Sequence, residues 1–186
     1  MNRLEVSRWR PVAWLALAVQ LCSPSLVALA QPPAVHVGEV IPRDVREIYD
    51  RGLQYLATTQ SDDGDWKGSG GEVGPGVTGM ALMVFLASGE DPNFGLYSNH
   101  IRKALRSMIM QQNAGTGIMG PSMYHHGFAM LGLAEAYGTV DDRNLWKGSE
   151  PNRRSIGQAL ELAVRAAVTS QKKNTFGGWR YSPDAT

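Results

Sequence analysis

Three short strings hold residue types that could do chemistry. Asp141-Asp142 sets two carboxylates side by side, the material of general acid and base work. The pair follows Gly138 in a polar loop, and paired acids in such a turn are expected to be solvated. Asp62-Asp63-Gly64-Asp65 offers oxygen ligands to a hard cation, yet a calcium loop needs later ligands and a closing Glu that the sequence lacks. Asp and Gly are also ordinary turn residues. His125 and His126 stand in Met123-Tyr124-His125-His126-Gly127, at the start of an apolar helix. Neighbouring residues on a helix point about 100° apart, so the two imidazoles do not converge on one metal. Neither has a His or a carboxylate three or four positions further on. One His is expected to pack in the core and the other to cap the helix or line a cavity. Cys22 is the single cysteine. No metal and no cofactor is assigned.

The elements that must position these residues are helices. Val45, Ile48, Tyr49, Leu53 and Leu56 recur at three-to-four spacing, with Arg43, Asp44, Arg46, Glu47 and Asp50 opposite. A second helix fits Val77 to Ser88 and closes at Gly89. A third starts after Ser98 or Asn99, either able to cap, and aligns Ile101, Leu105, Met108 and Ile109. A fourth runs from Met123 to Tyr137, and a fifth follows Ser155 with Ile156, Leu160, Ala163, Val164 and Ala167 in line. No stretch alternates as a half-buried strand does, so the expected class is all-α. The first, third and fifth helices are amphipathic, whereas the second and fourth carry a single charge, Glu135. A helix that is apolar all round must be enclosed, and an amphipathic one can cover it. That alternation predicts inner and outer helices in pairs, about two and a half pairs in this chain.

The repeat is sharpest where each amphipathic helix ends. Arg51, Gly52, Tyr55, Leu56, Gln60, Gly64 and Trp66 mark the first copy. The second runs from Lys103-Ala104 through Gln112 and Gly117 to Met119, and the third from Ala163 through Gln171 and Gly178 to Trp179. The three Gln residues recur at helix-pair intervals with loops of variable length. A glutamine at a helix end can donate to the last carbonyls and accept from free N–H groups of the next helix, while an indole covers that polar junction. Gln60, Trp66, Gln171 and Trp179 are therefore expected to brace the architecture.

The first copy resembles the QW motif of the terpenoid cyclase and protein prenyltransferase superfamily: a basic residue, a small one, an aromatic-aliphatic pair, then Gln and Gly-x-Trp. The second copy departs at Met119, and the third has Leu162 in place of the basic start. The resemblance covers about residues 42–183 and implies an α/α toroid, as in prenyltransferase and squalene oxidase repeat proteins. It also implies where chemistry would lie. Triterpene cyclases of this kind use the middle Asp of an Asp-x-Asp-Asp string, and Thr139-Val140-Asp141-Asp142 lacks the first Asp. Prenyltransferases bind zinc through Asp, Cys and His, and Cys22 falls outside the toroid segment. Tyr124, His125 and His126, at an inner-helix start, and Tyr181, after the third turn, are the residues expected near any ligand.

Residues 1–30 read as a secretory signal: Arg3, Arg8 and Arg10, an apolar run from Pro11, and Ala28-Leu29-Ala30 before Gln31. Gln20, Ser23 and Pro24 break the run short of the roughly 20 apolar residues a membrane span needs. Residues 31–41 form a leader, and 42–186 form the partial toroid. Cleavage removes three Arg and one Glu, which turns the net charge from +1 to −1 and leaves no basic face for nucleic acid. Cleavage also removes Cys22, so no disulfide or thiolate remains. The expectation is an exported protein, periplasmic or extracellular, with no stable membrane span. It acts as a non-catalytic toroid that binds an apolar or isoprenoid ligand or a protein partner. The alternative is an isoprenoid cyclase or transferase whose acid or metal ligands lie in a further C-terminal half. The last amphipathic helix has no apolar partner after it, which predicts a fragment or a self-associating chain.

Overall fold

The computed structural model describes residues 41–67, 74–143, 145–146, 148 and 153–185. The signal at 1–30 and nearly all of the 31–41 leader lie outside the described residues. Five helices follow in chain order: α1 Arg43–Thr59, α2 Pro75–Leu86, α3 Ser98–Gln111, α4 Met123–Ala136 and α5 Ile156–Lys173. There is no strand among the described residues, where one isolated antiparallel bridge joins Gln112 and Met119. The all-α class therefore stands.

Local sequence explains most boundaries. Ser155 accepts from the Gln158 N–H while the Gln158 side chain returns to the Ser155 N–H, a complete capping box at the start of α5. Lys172 and Lys173 close that helix at its negative end. Ser122 caps α4 by accepting from the His125 N–H. Two starts differ from expectation. α2 begins two residues early, because Pro75 fits the first helical turn, where its missing N–H costs nothing. α3 has Tyr97 at its cap position and no side-chain cap; Ser98 lies inside the helix, buried, with its N–H on the Gly95 carbonyl. The tight turn before α3 thus does what a Ser or Asn side chain was expected to do.

The two apolar helices pack on each other. A Cβ on Gly132 would stand 3.0 Å from the Gly79 Cα, and one on Gly79 would strike the Phe128 carbonyl at 2.4 Å, so the backbones approach as only glycine allows. α3 lies on α2, α5 lies on α4, α3 and α5 touch, and α1 rests lightly on α2. Leu82, Phe85, Ile101, Leu105, Met108, Ile109, Leu133 and Ile156 fill the common core. The expectation that α2 and α4 are enclosed on all sides is met only in part. Met80 and Val84 on α2, and Phe128 and Leu131 on α4, are exposed. On α1, Val45, Ile48 and Tyr49 are exposed as well, and Leu53 is the one buried residue.

Candidate functional site

The turns after α1, α3 and α5 are built alike, from the backbone outwards. After α1, the Gln60 Nε2 donates to the Gly64 carbonyl and to the His100 carbonyl on α3, both at 3.0 Å. After α3, the Gln112 Nε2 donates to the Gly117 carbonyl at 3.0 Å and to the Ala159 carbonyl on α5 at 2.9 Å. After α5, the Gln171 Nε2 donates to the Gly177 carbonyl at 2.9 Å. Gln60 and Gln112 therefore join one amphipathic helix to the next through carbonyls, not through the free N–H groups expected from sequence. Gly64, Gly117 and Gly177 share a left-handed φ of +91°, +78° and +69°. This places Gly177, not Gly178, in the glycine role of the third turn, and the lengthened third copy has its extra residues before that glycine.

The tryptophans repeat the same logic. The Trp66 Nε1 donates to the Leu56 carbonyl and the Trp179 Nε1 to the Ala167 carbonyl, each at 2.9 Å. Leu56 and Ala167 both stand four residues before their glutamine, so the indole reaches back to a carbonyl of the last helical turn. Trp66 is 5% exposed and packs on Phe85, with ring centres 5.9 Å apart, whereas Trp179 is 54% exposed. Met119 takes the indole position in the second turn and is fully buried. Arg51, Gly52 and Tyr55 share none of this burial; all three are exposed.

Around Gln60 the polar atoms are all used. Both Nε2 hydrogens go to carbonyls, so Oε1 is the acceptor that faces the His100 Nδ1 at 2.7 Å, and that nitrogen carries the proton. Burial, then the Lys103 charge, lowers the His100 pKa. Ala159 stands where His100 does in the first junction, and the Gln112 Oε1 is accordingly buried without a donor among the described residues.

Of the four residues expected near a ligand, the two tyrosines come together and the two histidines part. His126 is fully buried: its Nδ1 accepts from the Met119 N–H at 3.1 Å, and its Nε2 donates to the Ala163 carbonyl at 3.0 Å. Both ring nitrogens are engaged, and burial lowers its pKa against the opposing pull of the Ala163 carbonyl. His126 is thus the packed histidine, held inside the core by both ring nitrogens. His125 turns to the other side, against Gly74, Gly76 and Gly120, and its buried Nδ1 has no partner among the described residues. Tyr124 and Tyr181 do come together, with rings 5.8 Å apart and both exposed. The Met123 N–H donates to the Tyr181 carbonyl at 2.9 Å, which ties the segment after the third turn to the start of α4. Below Tyr124, Phe128 and Leu131 continue an exposed apolar stripe. A further groove of about 470 Å³ lies between the end of α1 and α2, lined by Tyr55, Trp66, Met80 and Val84 among others. Sequence reading missed both, because it treated α2 and α4 as wholly enclosed.

Three of the acids in the two strings, Asp65, Asp141 and Asp142, are engaged by near neighbours, while Asp62 and Asp63 are exposed. Arg143 holds Asp141 by hydrogen bonds and lowers its pKa to about 2, while the Asp142 Oδ2 accepts the Ile156 N–H at 2.7 Å at the start of α5. Asp65 exchanges hydrogen bonds with Ser61 inside the first turn. No group of three or more His, Cys, Asp and Glu able to hold a metal occurs among the described residues. No helix among them is long and apolar enough to cross a membrane. Comparison with family models, curated proteins and solved structures gives no match for this chain.

Proposed function

We propose that the chain is an exported repeat protein of the terpenoid cyclase and prenyltransferase type, an arc of an α/α toroid that binds an apolar ligand without transforming it. α2 and α4 form the inner layer of the arc, and α1, α3 and α5 the outer. The observation that carries the binding reading is the exposed stripe of Tyr124, Phe128 and Leu131 on a helix whose other face, His126, Ala129, Leu133 and Ala136, is core, with Tyr181 beside its first residue. Large apolar side chains left in water on an inner helix are the chemistry of a surface meant to be covered. Asp141 and Asp142 are each engaged by a neighbouring group and lend no support to the catalytic alternative.

The two tyrosines give the ligand test its signal. Titration of the protein with a C15 or C20 isoprenoid alcohol is expected to change tyrosine emission saturably, and Phe128→Ser with Leu131→Ser to remove the effect. Binding unchanged in that double variant, or no saturable binding of isoprenoid alcohols, overturns the reading. Export is tested separately: the mass of the secreted product should place its N terminus at Gln31.

A further inference from the structure

The turn junctions define a seat that, among the described residues, is filled twice and left open once. The turn after α1 sits on α3, where a Cβ on Gly64 would lie 2.3 Å from the Lys103 carbonyl oxygen. The turn after α3 sits on α5 in the same way, with Gly117 the same 2.3 Å from the Leu162 carbonyl oxygen. Each seat thus offers two carbonyls three residues apart, His100 and Lys103 or Ala159 and Leu162. One meets the glutamine and the other the glycine. The residue that follows, Ala104 or Ala163, is fully buried.

Register carries the same seat onto α1. Counting back from Gln60, Ile48 stands where His100 and Ala159 stand, Arg51 where Lys103 and Leu162 stand, and Gly52 where Ala104 and Ala163 stand. Tyr55 matches Ser107 and Ala166. Ser107 and Ala166 are buried, whereas Ile48 is 61% exposed, Tyr55 is 66% exposed, and nothing lies within 4 Å of a Cβ on Gly52. At the other end the plug is already formed. Gln171 holds Gly177 as its counterparts do, but makes no second carbonyl bond among the described residues, and nothing lies within 4 Å of a Cβ on Gly177 or Gly178.

We propose that the turn after α5 of one copy docks on the α1 seat of a second copy, head to tail. The occupant is identified by continuity with the interface this chain makes within itself twice: the same Gln-and-Gly turn against the same register of a helix. In the docked pair the Gln171 Nε2 donates to the Ile48 carbonyl, and Gly177 rests on the Arg51 carbonyl. The small Gly52 makes room, as Ala104 and Ala163 do. Two different surfaces meet, so the contact is heterologous and propagates into a ring or a filament. This assembly does not depend on the ligand reading, and either can fail alone.

Sedimentation of the full chain over a range of concentrations tests it. Wild type is expected to associate, and Gly52→Ala to associate equally, since both internal seats hold alanine. Gly52→Arg and Gln171→Ala should each weaken association by about tenfold or more. Mixing the two variants should restore one-to-one pairs, because each retains the face that the other lacks. Gly52 is exposed and Arg favours a helix more than Gly does, so the fold of Gly52→Arg is expected to survive, which a thermal melt checks. Should that variant unfold, Gln171→Ala decides alone. A monomer at every concentration, association indifferent to both substitutions, or a mixture that fails to pair overturns the proposal.

Discussion

The first and third turns use the same three residue types and share the Gln-to-Gly and Trp-to-helix hydrogen bonds, yet they sit in different surroundings. Around Trp66, Phe85 packs at 5.9 Å and in turn meets Tyr97 at 4.9 Å and His100 at 5.7 Å, so the indole belongs to an aromatic cluster shared by α2 and α3. Around Trp179 there is no such cluster among the described residues, and about half of the side chain is in water. The hydrogen bond from each indole to its helix is equally short. What separates the two regions is burial, which is set by the next helix layer and not by the motif.

That difference predicts unequal costs for equal substitutions. Trp66→Ala should destabilise the protein by about 3 kcal/mol, through the lost burial and an uncovered polar junction. Trp179→Ala should cost below about 1.5 kcal/mol, since the indole is already half in solvent. Denaturant titration of both variants is the check. Equal losses would mean that the indole-to-carbonyl bond, not burial, carries the stability.

The turn glycines sharpen the comparison. Gly64→Ala meets both a left-handed φ of +91° and the Lys103 carbonyl, whereas Gly177→Ala meets only a φ of +69°. The first should cost about 3 kcal/mol and the second about 1 kcal/mol, the strain of the left-handed region alone. If thermal melts gave the two the same cost, the close approach at Lys103 would be easily relieved.

The smallest effect concerns acid. His126 and His100 both titrate below an ordinary histidine in the folded protein, for burial favours their neutral form. The unfolded chain then binds more protons, so stability is full above about pH 6.5 and falls on acidification below it. His126→Gln should flatten that decline while lowering stability throughout. An acid limb unchanged in this variant would assign the dependence to His100 or to other groups.

Much of this was legible in the chain itself. The five helices, the amphipathic and apolar alternation, and the recurrence of Gln at the turns follow from periodicity and turn chemistry, although the left-handed glycine of the third turn is Gly177 and not the expected Gly178. These are local properties, decided within one or two helical turns. The packed histidine was expected, but the sequence could not say which of His125 and His126 it would be. That depended on where the Met119 N–H and the Ala163 carbonyl lie, 7 and 37 residues away in the chain.

The sequence by itself determined that this protein is helical, that its turns repeat, and that its acidic strings sit in loops. The tertiary structure alone decided which carbonyls the glutamines reach, because His100 and Ala159 are 40 and 47 residues beyond their donors. It also decided that no described residue fills the seat on α1 and that α4 leaves Phe128 and Leu131 exposed. Hydrophobic periodicity marks a face as able to be buried. Whether another layer arrives to bury it is a matter of distant neighbours, and on α1 and α4 the same pattern that fills the core elsewhere stands exposed.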